Sequence, residues 1–175
     1  MKNILFTLAL LISFVSFGQT AEEYLDSGYD KANANDHSGA IADYTKAIEI
    51  GARNFYAKWG PNVANAYFNR GNSKDDLKDY NGAISDYTKA IELDPNYADA
   101  YYNRGSSKDD LKDYYGAISD YTKAIELDPN DANAYSNRGI SKESLGDLTG
   151  ACADAKKAIS LGSNSSVKWI SENCN

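Results

Sequence analysis

Histidine occurs once in this chain of 175 residues, cysteine twice and methionine once, and basic residues are outnumbered by acidic ones, 18 to 25. A single histidine leaves little for general acid–base chemistry, and no cysteine, second histidine or carboxylate cluster of ligand spacing accompanies His37, so no metal site is expected. There is no Ser-His-Asp set and no Gly-rich phosphate loop, so the chain reads as non-catalytic and calls for no cofactor. The formal net charge of −7 opposes nucleic acid or anionic lipid as a partner, since both require clustered positive charge. The one long apolar run, Ile4 to Phe17, is too short for a membrane span and suits a secretory signal. Residues 1–18 therefore read as a signal peptide, with small residues at Ser16 and Gly18 before the cut. Removal of Lys2 leaves 17 basic against 25 acidic residues, or −8. An exported chain, periplasmic or extracellular and without stable membrane insertion, is expected.

What the chain does have is a period. Ala98 to Asp131 repeats Ala64 to Tyr97 at 29 of 34 places. The differences are Asn65/Asp99, Phe68/Tyr102, Asn72/Ser106, Asn81/Tyr115 and Tyr97/Asp131. Gly71, Gly105 and Gly139 are spaced by 34, as are Tyr67, Tyr101 and Tyr135, and one further step lands on Trp169. From Gly28 to Gly71 is 43 residues, one period plus nine. Self-similarity at such a period signals an array. The domain at 19–175 divides into units of about 21–54, 64–97, 98–131 and 132–165, an insertion at 55–63 and a cap at 166–174.

Each unit carries two helical patterns. In the third, Tyr101, Gly105, Lys108 and Leu111 form one stripe of a helix from about Ala98. Asp113 is placed to cap a second helix from Tyr114, with Ala117, Tyr121, Ala124, Ile125 and Leu127 as its apolar stripe. Asp128-Pro129 ends it, and Asn96…Asp99 has the spacing of a capping box for the helix that follows. One hairpin buries only one side, so its other face needs a stacked neighbour.

These residues resemble the tetratricopeptide repeat, whose pattern is W-x2-L-G-x2-Y…A-x3-F…P over about 34 residues. In the third unit Tyr101 takes the Trp place, Gly105 the Gly, Ala117 the Ala, Tyr121 the Phe and Pro129 the Pro. The resemblance implies an all-α, right-handed α-solenoid of four helix hairpins plus a C-terminal capping helix. Two places depart from the family. Its Leu is Arg70, Arg104 and Arg138 here (Ser27 in the first unit), and its Tyr is Lys31, Lys74, Lys108 and Lys142. Asp43, Asp86, Asp120 and Asp154 recur opposite the arginines, so partly buried bidentate Arg–Asp pairs are expected in place of the usual apolar contact.

The ends and the insertion are less regular. His37 sits where Tyr80 and Tyr114 sit later and reads as a packing variant. Phe55, Tyr56 and Trp59 either cap the gap between the first two units or form an exposed apolar contact. The fourth unit is degraded, with Leu148 and Ala155 replacing tyrosines, which suits a helix meeting a short cap. An antiparallel pairing of Ile159 with Trp169 brings Cys152 and Cys174 nearly opposite. A disulfide is expected there, with unpaired thiols or a Cys174 link between chains as the alternatives.

In proteins of this resemblance the first helices line a concave groove that holds the partner. Helical spacing puts Asn65, Phe68, Asn69, Asn72, Asp75 and Asp76 on that face in the second unit. Asp99, Tyr102, Asn103, Ser106, Asp109 and Asp110 follow in the third, and Asn133, Ser136, Asn137, Ile140 and Glu143 in the fourth. Three of the five differences between the near-identical units fall on this stripe, at 65/99, 68/102 and 72/106. The paired carboxylates favour a protein or peptide with basic residues. Adjacent carboxylates on a helix point to different sides, so they do not make a calcium loop. The family's chaperone-tail binders hold a C-terminal carboxylate with lysines. Asn69 and Asn103 resemble the amides of that clamp, but its lysines are missing. The expected function is a non-catalytic adaptor that binds a protein or peptide segment in the groove. The alternative is a structural assembly component of the cell envelope, packing through its array ends and insertion.

Overall fold

A computed structural model describes residues 20–53, 61–163 and 174. Eight helices follow in order: α1 (Ala21–Asn33), α2 (His37–Arg53), α3 (Pro61–Asp76), α4 (Tyr80–Leu93), α5 (Ala98–Asp110), α6 (Tyr114–Leu127), α7 (Ala132–Ser144) and α8 (Leu148–Ser160). No strand occurs among the described residues. Successive helices pair into four antiparallel hairpins, and each first helix also touches the first helix of the next hairpin. The result is an α-solenoid. The leader at 1–18, the insertion aromatics Phe55, Tyr56 and Trp59, and the cap with Trp169 lie outside the described residues.

Local chemistry sets the helix ends. Asp79, Asp113 and Asp147 cap α4, α6 and α8 by accepting from the amides of Gly82, Gly116 and Gly150 at 3.0, 3.0 and 2.9 Å, satisfying donors a helix start would otherwise orphan. The turn before each cap is left-handed at the same repeat place, at Asn35, Lys78 and Lys112 with φ of 60–62° and at Gly146 with φ of 81°. Only the fourth unit puts glycine there, and for a lysine that conformation costs about 1–2 kcal/mol. The capping box lies elsewhere than the spacing suggests. Thr20 and Glu23 form one at α1, whereas the N-cap of α5 is Tyr97, which makes no side-chain cap bond. Leu111 also departs from its expected stripe. Helix α5 ends at Asp110, and Leu111 is 42% exposed in the turn.

The core is tyrosine on glycine inside each hairpin and isoleucine on alanine between hairpins. Tyr44, Tyr87 and Tyr121 are each 1% exposed. Their rings press on Gly28, Gly71 and Gly105, where a Cβ would lie 2.6, 2.7 and 2.9 Å from a ring carbon. Only glycine admits that approach without displacing the ring. Between units, Ala90 and Ile91 pack on Ala100, and Ala124 and Ile125 on Ala134, flanked by Tyr67, Tyr101 and Tyr135. Full burial of one such isoleucine stabilises by about 2 kcal/mol, and the cover comes from the adjacent unit.

A polar spine runs through this core. The guanidinium of Arg70, Arg104 and Arg138 grips Asp86, Asp120 and Asp154 through Nε and Nη2 at 2.7–2.9 Å. Lys74, Lys108 and Lys142 add a second cation to the same carboxylates at 2.7 Å. Nη1 of each arginine reaches back to the hydroxyl of Thr45, Thr88 or Thr122 in the preceding unit at 3.0 Å. The expected Arg–Asp pairs are therefore present, and a threonine joint extends them across units. The first unit has Ser27, which with Lys31 donates to Asp43 at 2.6 Å. The last unit has Lys156 where the others have threonine. At the far end, Cys152 on α8 and Cys174 are joined by a disulfide with Cα atoms 5.6 Å apart.

Candidate functional site

The inner faces of α3, α5 and α7 carry the residues the helical spacing selected. Asn65, Asp76, Asp99, Asp110, Asn133 and Ile140 are exposed there, while Phe68, Asn69, Asn72, Asp75, Tyr102, Asn103, Ser106, Asp109 and Asn137 are half-buried. The half-buried set is bonded from one helix to the next. Asn72 Oδ1 accepts from Tyr87 Oη at 2.9 Å and from Asn103 Nδ2 at 2.8 Å. Asn137 Nδ2 donates to Tyr102 Oη at 2.9 Å, and Tyr121 Oη donates to Asp109 at 3.1 Å. Phe68 stacks near Tyr97 and Tyr102 near Tyr121, with ring centroids 4.8 and 5.7 Å apart.

The paired aspartates divide into two roles. Asp75 accepts from Ser107 Oγ, and Asp109 accepts from Ser141 Oγ at 2.8 Å. These carboxylates tie one first helix to the next and are less available to a partner than their spacing suggests. Burial pushes both above the ordinary carboxylate value, partly offset by the serine hydroxyls and reinforced by Asp110. Asp76 and Asp110 stand open at the groove rim. Asp76 faces Nδ1 of His37 at 3.3 Å, which places His37 at the contact between the first two units. Burial likewise raises the hydroxyls of Tyr87, Tyr121 and Tyr97, the last to about 12, and Tyr87 and Tyr121 act as neutral donors.

Two clefts open along this face. The first, of about 190 Å³, is walled by Asn72, Asp75, Asp76, Tyr87, Asn103 and Ser106. The second, of about 320 Å³, is walled by Ser106, Asp109, Asp110, Tyr121, Asn137 and Ile140, among others. All six walls of the first cleft have a counterpart one period on in the second. Spacing alone missed the second-helix tyrosines Tyr87 and Tyr121 and the serines Ser107 and Ser141. Their signal was a polar atom recurring every 34 residues inside a buried stripe. Among the described residues no group of His, Cys, Asp and Glu is arranged to hold a metal ion. No described helix is long and apolar enough to cross a membrane.

A family model described as tetratricopeptide repeat matches residues 64–97 and 98–131, and a second of the same description matches 120–153. The TPR domain of Arabidopsis OM64 is 31% identical, with a TM-score of 0.60, over 63% of this chain and 92% of that one. The chain belongs to the tetratricopeptide repeat family. The first TPR of Spaghetti (RPAP3), solved with the HSP90 peptide SRMEEVD, is 30% identical with a TM-score of 0.59, over 62% of this chain and 90% of that one. A crystal structure of MamA shares 27% identity and a TM-score of 0.73, over 81% of this chain and 77% of that one. Compared by sequence with curated proteins, the chain matches none. Tetratricopeptide repeat folds are scaffolds for protein–protein interaction, and this chain has that scaffold.

Proposed function

We propose that the protein is a non-catalytic adaptor that holds a polypeptide segment bearing basic residues along the inner face of α3, α5 and α7. The observation that carries this is the pair of repeated clefts, each opening on an exposed carboxylate, Asp76 or Asp110. Rigid helices hold the clefts, and the bonds between first helices fix their spacing, so little ordering cost falls on binding. The lysines of these helices, Lys74, Lys108 and Lys142, are drawn into the spine. The groove therefore keeps an acidic balance, opposite to what an acidic tail such as SRMEEVD requires. The leader-like residues 1–18 support a location for this adaptor outside the cytoplasm, in the periplasm or beyond the cell.

The test is a pull-down from envelope and culture fractions. One bait is the wild-type protein. The other carries Asn65→Ala, Asp76→Ala, Asp99→Ala and Asp110→Ala, exposed positions whose loss leaves the core intact. A partner captured by the first and lost by the second supports the groove. Equal capture by both moves the function to surfaces outside it, where Tyr115 and Leu148 are exposed at 77% and 49%, and overturns the groove reading.

A further inference from the structure

We infer that the groove reads its partner one side chain per repeat: an extended segment with two cationic side chains three residues apart, flanked at the same interval by apolar ones. This rests on the groove-binding reading above and adds a register to it.

The two clefts are copies. Their walls at 72/106, 75/109, 76/110, 87/121, 103/137 and 106/140 are each 34 residues apart. A partner that satisfies one satisfies the other, provided its side chains match the unit spacing. Neighbouring first helices are in contact, and packed helices lie about 8–10 Å apart. A polyproline-II segment rises about 3.1 Å per residue with three residues per turn, so side chains three apart share a face at about 9 Å. Same-face side chains of a β-strand recur at about 6.6 Å and fall out of step within one cleft.

One repeat place sets the chemistry at each end. Asn72 and Ser106, the walls of the first cleft, align with Tyr29 in the first unit and Ile140 in the fourth. Tyr29 and Ile140 are 58% and 56% exposed. Read along the array, the place runs aromatic, amide, hydroxyl, aliphatic. The middle positions sit beside exposed Asp76 and Asp110, and the outer ones present apolar surface. Asp110 has no ion pair among the described residues. Burial and neighbouring carboxylates make ionisation of Asp75 and Asp109 costly, a cost that a cation in either cleft relieves.

The experiment is fluorescence anisotropy with labelled peptides on a proline frame. The in-register peptide has Lys at two positions three apart and Leu three residues to either side. A second has its lysines four apart. A third has Glu for Lys. A fourth carries the lysines seven apart on an alanine-rich helical frame. The in-register peptide is expected to bind about tenfold more tightly than the shifted one, or about 1.4 kcal/mol, and the Glu peptide not to bind. The double variant Asp76→Asn, Asp110→Asn should remove the advantage. Ile140→Ser should weaken binding by a few-fold while the preference for spacing stays. Circular dichroism checks that both variants remain helical.

Equal binding of in-register and shifted peptides, tighter binding of the helical one, or no binding of the in-register peptide at 1 mM overturns the register. Binding that ignores spacing yet is lost in the double variant sinks the register alone and leaves the groove. Binding unchanged by the double variant places the peptide elsewhere and sinks both.

Discussion

Two polar layers run the length of this array, and they behave differently. The spine of Arg, Asp, Lys and Thr is centred on buried aspartates and repeats without change at Arg70, Arg104 and Arg138. The inner-face ladder joins half-buried Asn and Asp to buried Ser and Tyr hydroxyls, and residues on its face change from unit to unit: Asn72 becomes Ser106, and Phe68 becomes Tyr102. A buried carboxylate held by two cations tolerates substitution poorly, because removing one partner strands the others, and where Ser27 replaces the arginine in the first unit Lys31 still holds Asp43. A half-buried amide has water as an alternative and is free to vary. The array thus keeps its joints fixed while its inner face diverges.

The sharpest way to break the comparison is to remove one member from each layer. Asp120→Ala strands Arg104 and Lys108 and should cost about 3–5 kcal/mol, whereas Asp110→Ala at the rim should stay within about 0.5 kcal/mol. Urea unfolding of the two variants measures the difference, and similar midpoints would mean that the spine is no stronger than a solvated pair. Gly105→Ala touches the ladder through one ring, because the new Cβ meets Tyr121, whose hydroxyl holds Asp109. It should lose about 1–3 kcal/mol by overpacking. A drop confined to stability, with peptide binding unchanged, would show that the ladder does not depend on that ring.

Lys112→Gly belongs to neither layer and relieves a left-handed turn. Thermal unfolding should show a gain of about 0.5–1 kcal/mol, set apart from any change in binding. The smallest effect separates the layers by pH. Asp109 is raised above the ordinary 3.8, so the folded state binds more protons than the unfolded chain between that value and its folded pKa. Its contribution to stability therefore grows as pH falls through the folded pKa. Asp43 behaves oppositely. Burial pushes it up, but the Lys31 and Ser27 bonds outweigh that and lower it, so its stabilisation is lost as pH falls below 3.8. In Asp109→Asn, stability measured from pH 7 to pH 4 should change less steeply with acidification, with no loss at pH 7. An unchanged slope would remove Asp109 from the balance.

The period, the hairpins and the Asp caps were legible because each depends on residues within one unit. The Arg–Asp pairing was legible too, since both members recur at a fixed offset. The commitment of Asp75 to Ser107 and of Asp109 to Ser141 was not. Those bonds join first helices of different units, and their geometry depends on the angle between hairpins, which no single unit encodes. Tyr87 and Tyr121 were hidden for another reason. The pattern records a ring on an apolar stripe, while the hydroxyl at its far edge emerges in the groove. Leu111 shows the reverse error, a periodic apolar residue carried past the end of its helix.

The threonine joint carries a consequence for length. Each arginine needs a threonine behind it, and each threonine an arginine ahead. Ser27 and Lys156 are the two places where one half of that joint is withheld. The chain thus writes its own terminators into two side chains, one at each end of the series. A further copy of residues 98–131 spliced after Asp131 would meet a complete joint on both sides, so the tile is extensible from within by duplication. Growth from either end would first have to change Ser27 or Lys156.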